Sequence, residues 1–162
     1  MQLSFSYDRK KVIQGLRYHF ITRPEIRILV ILVNVFAIVA AVLFYMKKIR
    51  PEPFLLGSCL WLLMMMTFWY ILPVTIYKRS ATFKDRFSIF LNETNVRLEN
   101  GRGYVNWEWK QFAHYFESPN FFHLYFSARS FFLLPKENMT AEFSHELRGL
   151  LGRKIEKKVK YK

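Results

Sequence analysis

The side chains able to do chemistry are few and scattered. His19, His114, His123 and His145, with Asp8, Asp85 and the glutamates, are the groups that could move protons or hold a metal. If "ESPN" forms a four-residue hairpin loop, Phe116 opposes Phe121 and His114 opposes His123. Two facing imidazoles could then begin a metal site. No third ligand lies at a fixed spacing, so no metal and no cofactor are expected. The sequence contains no Gly-x-Ser-x-Gly elbow, Gly-rich phosphate loop or zinc-protease histidine pair. Cys59, the single cysteine, permits neither an internal disulfide nor a cysteine zinc site. The expectation is a protein that is not an enzyme.

Binding is the remaining chemistry. A net charge of +13 over 162 residues implies an anionic partner. The C-terminal "RKIEKKVKYK" concentrates Arg153, Lys154, Lys157, Lys158 and Lys160, and Lys136 follows Pro135. Each such residue near anionic lipid contributes about 1 kcal/mol. The competing readings are a solvated tail and a lysine that ends a strand in water. Trp107, Trp109, Tyr115, Phe122, Tyr125, Phe126 and Phe132 could stack nucleobases. RNA-recognition signatures are absent, however, and aromatic residues in a sheet more often form core, so no nucleic-acid partner is expected.

Two apolar runs must position everything else. Ile28 to Met46 holds Asn34 as its one strongly polar residue, and Phe54 to Ile76 carries no charge. At about 1.5 Å per residue, each crosses a hydrocarbon core of roughly 30 Å. A small soluble domain cannot bury two helices that are apolar on every face. "KKIRPEP", residues 47–53, joins them so tightly that they form an antiparallel hairpin, and Pro51 and Pro53 are expected to stop both helices there. Both chain ends then lie on one side. Arg9, Lys10, Lys11, Arg17, Arg23, Arg27, Lys78, Arg79, Lys84 and Arg86 flank the hairpin, against Lys47, Lys48 and Arg50 in its loop. The positive-inside rule therefore puts both termini in the cytoplasm. The first apolar run begins too late, and lacks the small-residue cleavage pattern, for a signal peptide.

Ahead of the hairpin, residues 3–8 alternate as a short strand, and Asp8 suits the N-cap of a basic amphipathic helix through "RKKVIQGLRYHF". Past the hairpin the period changes. "TFKDRFSIFLN", "VRLEN" and "YVNWEWKQF" read as strands, with "NGRG" as a hairpin turn. "FFHLYFS" and "SFFLLPK" supply two more, each too short to cross lipid, joined by a four-residue loop "SARS". Thr140 is the expected N-cap of a last helix, whose Phe143, Leu147, Leu150 and Leu151 make one apolar stripe. The fold class is a membrane α+β protein: a two-helix transmembrane hairpin plus a small antiparallel sheet capped by a C-terminal helix. The expected divisions are 1–27, the hairpin 28–76, a cytoplasmic domain 78–155 and a basic tail 156–162.

The soluble half resembles the YcxB-like family of bacterial membrane proteins. Trp109 is followed by Phe112, Tyr115, Phe116 and Glu117, then by Phe122, Leu124, Tyr125 and Ser127, then by "FFLLPK" ending in Pro135 and Lys136, then by the helix "AEFSHELRGLL". The resemblance implies a bacterial inner-membrane protein with a pleckstrin-homology-like cytoplasmic domain and no assigned activity. The expected function is a protein-binding or scaffold module. The alternative is a sensor of anionic lipid headgroups using Lys136 and the basic tail. Expected partners are the bilayer, its anionic headgroups, a protein of unspecified identity and a second copy of the chain.

Overall fold

A computed structural model describes residues 1–128 and 130–155. β1 (Gln2–Ser6) and α1 (Arg9–Thr22) precede α2 (Pro24–Tyr45) and α3 (Pro51–Met66). A π-helical turn, Thr67–Ile71, joins α3 to α4 (Leu72–Arg79) without a break. Then come β2 (Arg86–Leu91), β3 (Asn95–Asn100), β4 (Gly103–Glu108), β5 (His114–Glu117), β6 (Phe121–Tyr125), β7 (Phe131–Pro135) and α5 (Ala141–Lys154).

The chain forms two compact units, residues 1–15 with those from 80 onward, and residues 16–79. This differs from a division at residue 27. β1 pairs with β2 along its whole length, from Gln2 opposite Phe90 to Ser6 opposite Arg86. The alternation of β1 buries Leu3 and Phe5 in the core of the first unit. The apolar hairpin is thus an insertion between two neighbouring strands of one sheet.

The first unit holds two antiparallel sheets, ordered β1-β2-β3-β4 and β5-β6-β7. Their core includes Phe5, Ile89, Val96, Phe122, Leu124 and Leu134, closed by Leu147, Leu150 and Leu151 of α5. Thr140 caps α5 by accepting from the Phe143 N–H at 3.1 Å. Asp8 caps α1 in the same way, through the Lys11 N–H at 2.9 Å. α1 crosses β6 and β7 at Gly15, where a Cβ would lie 2.9 Å from the Phe121 ring. Gly15→Val should therefore cost about 2 kcal/mol, read as a lowered midpoint of thermal unfolding.

Three local expectations are corrected. Thr82–Lys84 is a turn of 3-10 helix rather than the start of a strand, closed by Lys84 N–H to Ala81 carbonyl at 3.0 Å. "YVNWEWKQF" is not one strand: it breaks at a 3-10 turn, Trp109–Gln111, capped reciprocally by Glu108 and Gln111. The "SPN" turn is tighter than a four-residue loop. Ser118 N–H donates to the Phe121 carbonyl at 2.9 Å, leaving only Pro119 and Asn120 between the strands. That moves the register by two residues. His114 opposes Tyr125, and Phe116 opposes His123.

The second unit holds two helices long and apolar enough to cross a membrane, Pro24–Tyr45 and the continuous Pro51–Arg79. Pro51 opens the second helix instead of ending it, because the first-turn N–H groups have no intrahelical acceptor and a proline there loses nothing. Pro73 lacks the N–H that would bond the Trp69 carbonyl in an α-helix. Arg17 supplies a substitute: its Nε donates to that carbonyl at 2.8 Å, and its guanidinium lies 5.7 Å from the Trp69 ring. Asn34 donates back to the Val30 carbonyl at 2.7 Å, so its amide N–H is satisfied within its own helix.

Candidate functional site

The residues singled out around Glu117 converge. Lys136 Nζ lies 2.6 Å from Glu117 Oε1. Arg148, at the middle of α5, contacts the same carboxylate at 2.8 Å through Nη2 and at 3.1 Å through Nε. Both cations sit over the Phe122 ring, at 4.8 Å and 5.9 Å from its centre. Burial alone would raise the Glu117 carboxyl, but the hydrogen bonds and charges of Arg148 and Lys136 outweigh it and hold it down to about 2. One carboxylate therefore ties β5, the end of β7 and α5 together. Sequence spacing brought Glu117 and Lys136 to attention; Arg148 was missed, because nothing local marks a surface arginine on an amphipathic helix as the second arm of this cluster.

The other motif residues are structural. Trp109 is buried, and its indole N–H donates to the Asn92 carbonyl at 2.9 Å across the turn between β2 and β3. Phe112 and Tyr125 are buried. Pro135 closes β7 opposite Phe121, and Lys136 N–H donates to the Asn120 carbonyl at 3.0 Å. Trp109, Tyr115, Phe122, Tyr125 and Phe132 are core residues, so no exposed stacking platform is built from them.

The histidines do not assemble. His114 stacks on Tyr125 at 4.4 Å between ring centres, while His123 is fully buried with Nε2 3.0 Å from Ser118 Oγ. His145 is exposed on α5. Burial and the Arg23 charge push His19 down to about 4. Among the described residues, no three potential metal ligands cluster.

The basic candidates are partly spoken for. Arg153 and Lys154 both contact Glu93, at 3.4 Å and 2.8 Å, where α5 meets the β2–β3 turn. Lys157, Lys158 and Lys160 lie outside the described residues.

No sequence motif marks the outer edge of β4, beyond which no strand lies among the described residues. The two-residue turns Glu93-Thr94 and Gly101-Arg102 fix which backbone groups point where. Asn92 N–H donates to the Asn95 carbonyl at 3.0 Å, so Asn95, Arg97 and Glu99 bond toward β2, and Val96, Leu98 and Asn100 bond toward β4. Their partners Gly103, Val105 and Trp107 face inward along the ladder. Tyr104, Asn106 and Glu108 therefore aim their N–H and carbonyl groups off the sheet. Gln111 Oε1 accepts from the Glu108 N–H at 3.2 Å, which leaves the outward groups of Tyr104 and Asn106 open among the described residues. Gly103, at φ +149°, makes the tight turn possible.

The β1 and β7 edges are each touched by one side chain, and β5 is short. On β1, the Asn138 amide reaches the Ser4 carbonyl at 3.4 Å. On β7, the Tyr7 hydroxyl donates to the Leu133 carbonyl at 2.7 Å. β5 has four residues, and its Tyr115 and Phe116 are buried. Along β4, by contrast, Tyr104 is 63% exposed and Val105 50% exposed, and among the described residues no strand lies beyond them.

This strand, the Trp109 turn, the Glu117 cluster and α5 fall within residues 91–151, the part of the chain that matches the family described as YcxB-like protein. The segment is a YcxB-like domain. No curated protein and no solved structure matches the chain. The YcxB-like match ends where α5 nears its last turn and begins at the end of β2, so it contains β4 but not β1.

Proposed function

We propose that the chain is a non-enzymatic bacterial inner-membrane protein with both termini in the cytoplasm. In this reading the two apolar helices span the bilayer, and the first unit is a pleckstrin-homology-like module that binds protein at the β4 edge. The observation that carries the reading is the pair of outward-facing residues Tyr104 and Asn106, with solvent-exposed backbone groups in a domain whose β1 and β7 edges are met by side chains. An exposed edge is a template for an added strand, and main-chain hydrogen bonds supply the affinity. The two sheets with a closing C-terminal helix support the pleckstrin-homology-like description. A headgroup sensor has less support, since Lys136, Arg153 and Lys154 already face carboxylates, and a phosphate would have to displace Glu117 or Glu93.

A photo-crosslinking residue placed at Tyr104 in the full-length membrane protein tests this. A crosslinked protein adduct is expected, and Asn106→Pro should reduce it at least about tenfold. That substitution removes an outward N–H and leaves the β3–β4 ladder intact, so the thermal midpoint should hold. No adduct at Tyr104, or an adduct indifferent to Asn106→Pro, defeats the reading.

A further inference from the structure

The β4 edge is nearly self-complementary. We infer that its occupant is β4 of a second copy, paired antiparallel about a twofold axis through Val105. This rests on the reading of β4 as a protein-binding edge and names the partner.

The register follows from the backbone. Tyr104 and Asn106 each present one N–H and one carbonyl outward, and Val105 between them bonds inward to Leu98. An antiparallel neighbour must oppose an outward residue to an outward residue, which excludes any axis lying between two residues. Three axes remain. An axis through Tyr104 opposes Asn106 to Arg102, which sits in the turn and cannot continue a ladder. An axis through Asn106 opposes Tyr104 to Glu108, whose N–H Gln111 already occupies, and it brings Arg102 toward Lys110. An axis through Val105 pairs Tyr104 with Asn106 twice over. All four open N–H and carbonyl pairs are then satisfied, in four reciprocal hydrogen bonds.

The flanking charges agree with that choice alone. Arg102 comes opposite Glu108 of the second copy at both ends. Arg102 is 68% exposed while paired with Asp85, and Glu108 is 61% exposed while paired with Lys110, so both can share a second partner. On one face Val105 meets its own copy, which buries two half-exposed valines. Such an interface is isologous and closed, with residue i meeting j and j meeting i, and so stops at a dimer. The product is a continuous sheet of two four-stranded halves.

Disulfide trapping of the full chain in membranes, with Cys59→Ser as background, tests the register. Val105→Cys should oxidise to a covalent dimer, because directly opposed residues in a non-hydrogen-bonded pair have Cα atoms about 4.5 Å apart. Tyr104→Cys or Asn106→Cys alone should crosslink at least about fivefold less, since each lies off the axis from its copy by a further strand step. Adding Asn106→Pro to Val105→Cys should abolish the dimer. A dimer strongest at Tyr104 or Asn106 overturns the register. If Val105→Cys fails while the Tyr104 photo-adduct persists and still depends on Asn106, another protein occupies the edge: the inference falls and the proposed function stands. Loss of both removes both.

Discussion

Replacing Trp109 with alanine is expected to cost about 3–5 kcal/mol. The indole is 5% exposed and packs against Phe112, with ring centres 6.0 Å apart. Its N–H is also bonded to the Asn92 carbonyl. The residue occupies the 3-10 turn through which the chain leaves the four-stranded sheet for the three-stranded one. Alanine would open a cavity at that crossing and leave a carbonyl of the β2–β3 turn without its donor. Trp109→Phe separates the two contributions: it keeps most of the apolar volume and should lose about 1–2 kcal/mol, the bond plus a small void. Chemical unfolding of the wild type and both variants reads the difference directly.

The second large effect concerns Glu117. Its carboxyl lies near 2 when folded and in the ordinary carboxylate range when unfolded, so its ionised form favours the folded state. A depressed folded value gives stability that is present above the unfolded value and lost as pH falls toward the folded one. The first unit should therefore lose stability between about pH 5 and pH 2, by about 2 kcal/mol from this group once partial exposure is allowed for. Glu117→Gln should remove most of that slope and lower stability at pH 7 by a similar amount, because Lys136 and Arg148 are then left facing one another over Phe122. A variant whose stability at pH 7 equals that of the wild type, with an unchanged acid limb, would contradict the account of this cluster.

Much of the architecture was legible because its signals are local. Two long uncharged runs can form little except helices of membrane length, and their edges shifted by only a few residues because proline starts a helix as readily as it ends one. Asp8 and Thr140 cap their helices as short polar side chains before an apolar stripe should. "NGRG" specified a two-residue hairpin, and Gly103 adopts the positive φ that made it so. Each departure has its own physical cause. Alternation marks which face a residue occupies, but it is silent on where a strand breaks; Trp109 fits the alternation of β4 while sitting in a helical turn. The histidine register depends on hairpin loop length, which residue types alone leave open, and the Ser118 backbone closes the shorter turn. Membership of β1 in the sheet was hidden by sequence distance, since its partner begins some eighty residues later. The β4 edge was missed for a different reason: openness belongs to the backbone and depends on what other strands leave uncovered. The turn lengths alone, however, carry the parity that assigns Tyr104 and Asn106 outward.

The insertion of the hairpin between β1 and β2 has a topological consequence. Strands paired over five residues must share a compartment, so both ends of a spanning hairpin must emerge on the same side. In the Cys59→Ser background, single cysteines at Gln2, Lys48 and Gly101 can be probed in intact cells with a membrane-impermeant maleimide. The account predicts labelling at Lys48→Cys alone, with Gln2→Cys and Gly101→Cys reacting only after permeabilisation. Labelling of Gln2→Cys and Gly101→Cys from opposite sides, or of both from outside with Lys48→Cys protected, would contradict it.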